Sequence, residues 1–126
     1  MPLVRIDLSQ QAPDTLGRDI GELIYRAMIE VINVPRDDKF QIITRHSLGE
    51  LVYPAQYLGI EYSPGIVFIQ ITLNQGRSVE LKKAFYRRVA DDLHTSLGVR
   101  RQDVFINLVE VVKENWSFGN GEMQYA

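Results

Sequence analysis

The chain has 126 residues with 45% apolar and 24% charged content, enough to bury one hydrophobic core, so a single domain over 1–126 is expected. Its 14 Lys and Arg against 16 Asp and Glu leave a formal net charge of -2 and no basic run to meet a phosphate backbone, which argues against a nucleic-acid partner. With no cysteine there is no disulfide or thiolate chemistry; with no apolar run of membrane length and no signal-like start, the sequence reads as soluble and cytoplasmic.

The first element begins at once. Pro2 follows the initiator methionine and is small enough for that methionine to be clipped, which would leave a free secondary amine. Val4, Ile6 and Leu8 then alternate with Arg5 and Asp7, the period of a half-buried strand. Behind Pro13 a helix is expected from about Asp14, with Leu16, Ile20, Ile24, Met28 and Ile32 on one face and Leu23, Ala27 and Val31 widening the stripe. Asn33 and Pro35 stop it, and Phe40–Thr44 is extended. The connection from His46 to Gly65 is expected to hold a short strand at Glu50-Leu51-Val52-Tyr53 and a turn at Ser63-Pro64-Gly65. A second strand follows at Phe68–Leu73. A helix then starts near Ser78 and carries Leu81, Phe85, Val89, Leu93 and Leu97, Gly98 ends it, and Phe105–Val109 is extended. In the tail, Gly119 and Gly121 lie between aromatic residues and predict a C-terminal hairpin, an arm suited to a neighbouring subunit.

The two halves match at an offset of 65 residues without a gap, from Leu3–Leu8 against Phe68–Leu73 through the helix stripes to Phe40 against Phe105. The predicted fold class is therefore α+β: a duplicated β-α-β unit (about 2–45 and 66–111), a four-stranded mixed sheet with both helices on one face, plus the C-terminal hairpin. The bare sheet face calls for cover by oligomerisation. Two β-α-β units also describe a ferredoxin-like binding or assembly module, and strand order separates the two: parallel neighbours within each half, or interleaved strands.

An amino-terminal proline on a strand, the duplicated unit, Val34-Pro35 and Asp38 before Gln41-Ile42, Ile69-Gln70-Ile71-Thr72, Lys83 to Tyr86 and Asn115-Trp116-Ser117-Phe118-Gly119-Asn120-Gly121 together resemble the tautomerase superfamily. Within it they are most similar to the malonate semialdehyde decarboxylase group. The resemblance implies a homotrimer without a cofactor or metal, acting on a small carboxylated carbonyl compound. Pro2 would do the chemistry, Asp38 would tune it and Arg77 would hold the carboxylate, with Asn74, Trp116 and Phe118 around the substrate. The family's Arg-Pro-Arg arrangement reads here as Asn74-Gln75-Gly76-Arg77, which keeps one arginine. Met28 occupies the place of a histidine in related dehalogenases and points away from dehalogenation.

The chemistry stays open among three uses of the amine. A neutral Pro2 is a base for keto-enol tautomerisation; a protonated one is an acid for hydration or decarboxylation; a secondary amine also forms an iminium with an aldehyde. Trp116 and Phe118 read first as packing residues of the tail. His46 and His94 lack partners at metal-ligand spacing and read as surface or structural residues. Gly119 and Gly121 read as turn glycines rather than a phosphate loop.

Overall fold

The computed structural model describes residues 1–125. Strand β1 (Leu3–Ser9), helix α1 (Leu16–Ile32) and β2 (Phe40–His46) form the first unit. A two-residue hairpin of β3 (Gln56–Tyr57) and β4 (Ile60–Glu61) follows, and β5 (Val67–Asn74), α2 (Val79–Leu97) and β6 (Val104–Val111) form the second unit. The sheet order is β2-β1-β5-β6, with β1 parallel to β2, β5 parallel to β6, and β1 antiparallel to β5. Parallel neighbours within each half overturn the ferredoxin-like alternative, which needs interleaved strands.

The alternation along the central strands buries Val4, Ile6 and Leu8 of β1 with Val67, Ile69, Ile71 and Leu73 of β5 under both helices, whose own buried stripes include Ile24, Met28, Phe85 and Leu93. Met28 is thus a core residue. α1 approaches β2 closely because two of its facing residues are glycines: a Cβ on Gly17 would stand 2.6 Å from Ile43 Cγ2, and the Gly21 carbonyl accepts a 2.8 Å bond from Gln41 Nε2. Both helices end on a left-handed residue at the matching positions, Asn33 (φ 61°) and Gly98 (φ 71°).

The helix starts differ from each other. Ser78 caps α2, its Oγ accepting the Leu81 N–H at 3.2 Å. α1 begins at Leu16 behind Thr15, which makes no side-chain cap; Asp14 gives its carboxylate to Arg45 at 2.8 Å instead. Ser78→Ala is therefore expected to cost about 1 kcal/mol of stability and Thr15→Ala much less. Chemical denaturation of both variants at one protein concentration checks this.

Two expected elements, a strand and a hairpin, are absent among the described residues. Glu50 to Tyr53 run as turn and irregular chain, with Val52 86% exposed, and the local hairpin lies further on at β3 and β4. The tail forms no strand ladder among the described residues. A 3₁₀ turn (Lys113–Asn115) leads into a reversal near Gly119, where Gln124 Oε1 accepts the Phe118 N–H at 2.9 Å and Gln124 Nε2 donates to the Gly119 carbonyl at 2.8 Å.

The face of the sheet away from the helices carries Phe40, Ile42, Phe68, Phe105 and Val109, and Phe68 meets Phe105 at a ring separation of 5.1 Å. On the same face His46 Nε2 stands 2.6 Å from Asp7 Oδ1, while His94 Nδ1 lies 3.0 Å from the Val99 carbonyl; both histidines make structural contacts. Asp103 is buried and ties the connecting segment to the second unit, accepting from the Ser63 N–H at 2.9 Å and from the Ser63 hydroxyl, with Arg100 Nη1 at 3.4 Å.

Candidate active site

Register brings the chemistry-bearing residues together. Leu3 pairs with Phe40, so Pro2 and Asp38 lie at the same end of the sheet. Leu3 also pairs with Thr72 on the antiparallel β5, which runs out to Asn74 at that end. Asn74 pairs in turn with Val111, so Lys113 and the tail arrive there as well. The topology alone collects Pro2, Asp38, Asn74, Arg77, Lys113 and Trp116 from four strand termini.

Pro2 is buried, and the Met1 amine that precedes it stands 3.8 Å from Asp38 Oδ2, an ion pair rather than a hydrogen bond. That amine is pushed below its ordinary range, first by burial; Asp38 opposes the shift, and the cations Arg77 and Lys113 add to it. Removal of Met1 would make Pro2 the amino terminus one residue further in, under the influence of the same charges.

Arg77 is fixed by two backbone carbonyls. Its Nε donates to the Ile32 carbonyl at the end of α1 and its Nη1 to the Asn74 carbonyl, each at 3.1 Å. α1 has no basic residue in its last turn, so Arg77 supplies the positive charge there. Two of the five guanidinium N–H groups are used in this way, which leaves donors for a carboxylate. Among the described residues, neither Arg77 nor Lys113 is engaged in an ion pair.

Aromatic residues of the tail close the array. Trp116 Nε1 donates to Asn74 Oδ1 at 2.7 Å, Trp116 stacks on Phe118 at 5.4 Å with ring planes 19° apart, and Phe118 meets the edge of Tyr125 at 5.1 Å. The Tyr125 phenol is pushed up by burial and then by the negative charge of Asp38, which puts the end of the tail near the amino terminus. An open cavity of about 400 Å³ lies between Lys113 and Tyr125 and is also lined by Val112, Glu114 and Met123.

Lys113 and Tyr125 are not among the site residues that the sequence pointed to. The signal for Lys113 was available, because extending the second repeat along β6 carries the chain to this end of the sheet. Nothing local marks Tyr125.

The model of the family described as "Tautomerase enzyme" matches residues 38–119. The chain belongs to the tautomerase family. It is 43% identical over 124 residues to the probable tautomerase YusQ of Bacillus subtilis (strain 168), covering 98% of both chains. Among solved tautomerase relatives, it is similar to FG41 malonate semialdehyde decarboxylase inhibited by 3-bromopropiolate, at 34% identity and a TM-score of 0.89, over 98% of this chain and 93% of that one. A second malonate semialdehyde decarboxylase, described with decarboxylase and hydratase activities, matches at 29% identity and a TM-score of 0.87, over 98% and 95% of the two chains.

The tautomerase duplication leaves a counterpart of this array at the opposite end of the sheet. At the offset of 65 residues, Val67 answers to Pro2, Asp103 to Asp38 and Ala12 to Arg77. A cavity of about 240 Å³ persists there, lined by Ser9, Ala12, Ile66 and Val67 among others. It has no free amine and no arginine from the loop, and its carboxylate is already engaged with Ser63 and Arg100.

Proposed function

We propose that this protein is a cofactor-free tautomerase of small 2-oxo acids in which Pro2, exposed by removal of Met1, moves the proton. The observation that carries this reading is the setting of the amino terminus: burial and two cations lower the basicity of an amine there despite Asp38, and so favour the neutral form that a base requires. The Pro2 nitrogen takes a proton from the carbon beside the ketone and leaves an enolate. Arg77 holds the carboxylate, and the positive charge of Lys113, close enough to act on the amino terminus, offsets the charge developing on the enolate oxygen. Transfer of that proton to the enolate oxygen completes the enol and returns the amine to its neutral form.

A second reading has one observation in its favour. Asp38 acts against the lowering of the amine, and a protonated Pro2 beside it would serve decarboxylation or hydration of a 3-oxo acid, the activities named for a relative 29% identical to this chain. The working form in either case is a homotrimer; the apolar face carrying Phe40, Ile42, Phe105 and Val109 supports association between subunits.

The test joins intact mass to turnover, using untagged protein and small 2-oxo and 3-oxo acids. The expected result is a mass lacking methionine together with ketonisation of the 2-oxo acid enol; a mass retaining methionine and no turnover would overturn the reading. Asp38→Asn then distinguishes the two roles of the amine. Loss of the neighbouring anion destabilises the protonated amine, so the pH limb belonging to Pro2 is expected to move to lower pH. For a base that limb is the ascending one, and for an acid the descending one. A limb that does not move would remove Asp38 from the site.

A further inference from the structure

We propose that Asn74 is a positioning residue whose single side-chain bond to Trp116 latches the aromatic tail to the end of β5, beside the backbone carbonyl that fixes Arg77. The proposal rests on the tautomerase reading for its kinetic arm only. Asn74 is the last residue of β5 and serves two neighbours at once: its backbone carbonyl accepts from Arg77 Nη1 at 3.1 Å, and its side-chain Oδ1 accepts from Trp116 Nε1 at 2.7 Å. An indole N–H is only a donor, so the oxygen of the amide must face it.

That contact changes the part Asn74 can play. Its acceptor is already engaged and would in any case repel a carboxylate, which leaves only the amide N–H₂ for a ligand. The bond to Trp116, by contrast, begins a continuous series: Trp116 stacks on Phe118, Phe118 bears on Tyr125, and Gln124 ties this reversal together through Phe118 and Gly119. No strand ladder holds the tail among the described residues, so the latch stands in for one. With the bond broken, Trp116 loses its fixed orientation and the wall that follows it loses its anchor.

Trp116 is the only tryptophan in the chain, so its emission reports the surroundings of this one indole. In Asn74→Ala the emission is expected to shift to the red and acrylamide quenching to rise. The kinetic arm is a double-mutant cycle with Trp116→Phe, which keeps a packed ring and removes the N–H. Each single variant is expected to raise KM roughly five- to tenfold with little change in kcat, the scale of one lost hydrogen bond. The double variant should be no worse than either single, because the same bond is lost in each. Additive losses, or unaltered emission and quenching in Asn74→Ala, would overturn the proposal. If the protein turns over no oxo acid, the tautomerase reading fails while emission and quenching still decide the latch.

Discussion

Pro2→Ala is expected to lower turnover of a small 2-oxo acid by roughly 10² to 10⁴-fold while leaving the fold in place, the contribution a positioned acid or base makes. Alanine at position 2 is as permissive of methionine removal as proline, so the comparison is between two free amines. In proline the nitrogen is part of a ring buried at the start of β1, and its lone pair has one direction; alanine offers a primary amine that rotates about its bond to Cα. Proline also brings no backbone N–H when it is internal to the chain, so the substitution removes no strand hydrogen bond and only a small apolar area. Kinetics should be read beside circular dichroism and thermal unfolding at a fixed protein concentration. Full activity in the variant would remove Pro2 from the chemistry and return the array to ligand binding.

Arg77→Lys is expected to lower kcat/KM by about 10- to 150-fold, mostly through KM, corresponding to about 1.5 to 3 kcal/mol for hydrogen bonds to a charged group. Lysine keeps the charge but not the planar fork, and it cannot hold the Ile32 and Asn74 carbonyls while also meeting a carboxylate. Arg77 also completes the end of α1, so the variant carries a structural loss beside any loss of binding. The methyl ester of the same oxo acid separates the two effects: with no carboxylate to bind, it should lose far less than the acid. Equal losses for acid and ester would place Arg77 in the scaffold alone.

Much of this was legible in the sequence because the chain states its architecture twice. The offset pairing of the strands, the two helix stripes and the left-handed ends at Asn33 and Gly98 are local patterns, and each reappears in the structure. The misreadings share a physical cause. The β3–β4 hairpin turns through Leu58 and Gly59 at φ 50° and 80°, and a leucine in left-handed backbone carries none of the Asn-Gly chemistry that normally announces such a turn. The tail reverses through the side-chain amide of Gln124 rather than through strand pairing, so its glycines marked the turn but not what holds it. The first helix is expected from about Asp14, yet it starts at Leu16, and Arg45, 31 residues away from Asp14, takes the Asp14 carboxylate. At the candidate site, Pro2, Asp38 and Arg77 could be proposed one by one. Lys113 and Tyr125 reach them only through the register of β6 and the return of the tail, long-range facts with no local signature.

The buried carboxylate of Asp103 shows how the two ends of one duplicated sheet divided their labour. One copy keeps its aspartate beside the amino terminus, where it can act on a proton; the other has turned the same position into a joint between the connecting segment and the second unit. On the proposed reading, proton transfer and this joint therefore lie at opposite ends of the strands. Substitutions confined to the amino-terminal end leave the Asp103 joint itself untouched, so the connecting segment stays fastened to the second unit while the opposite end changes.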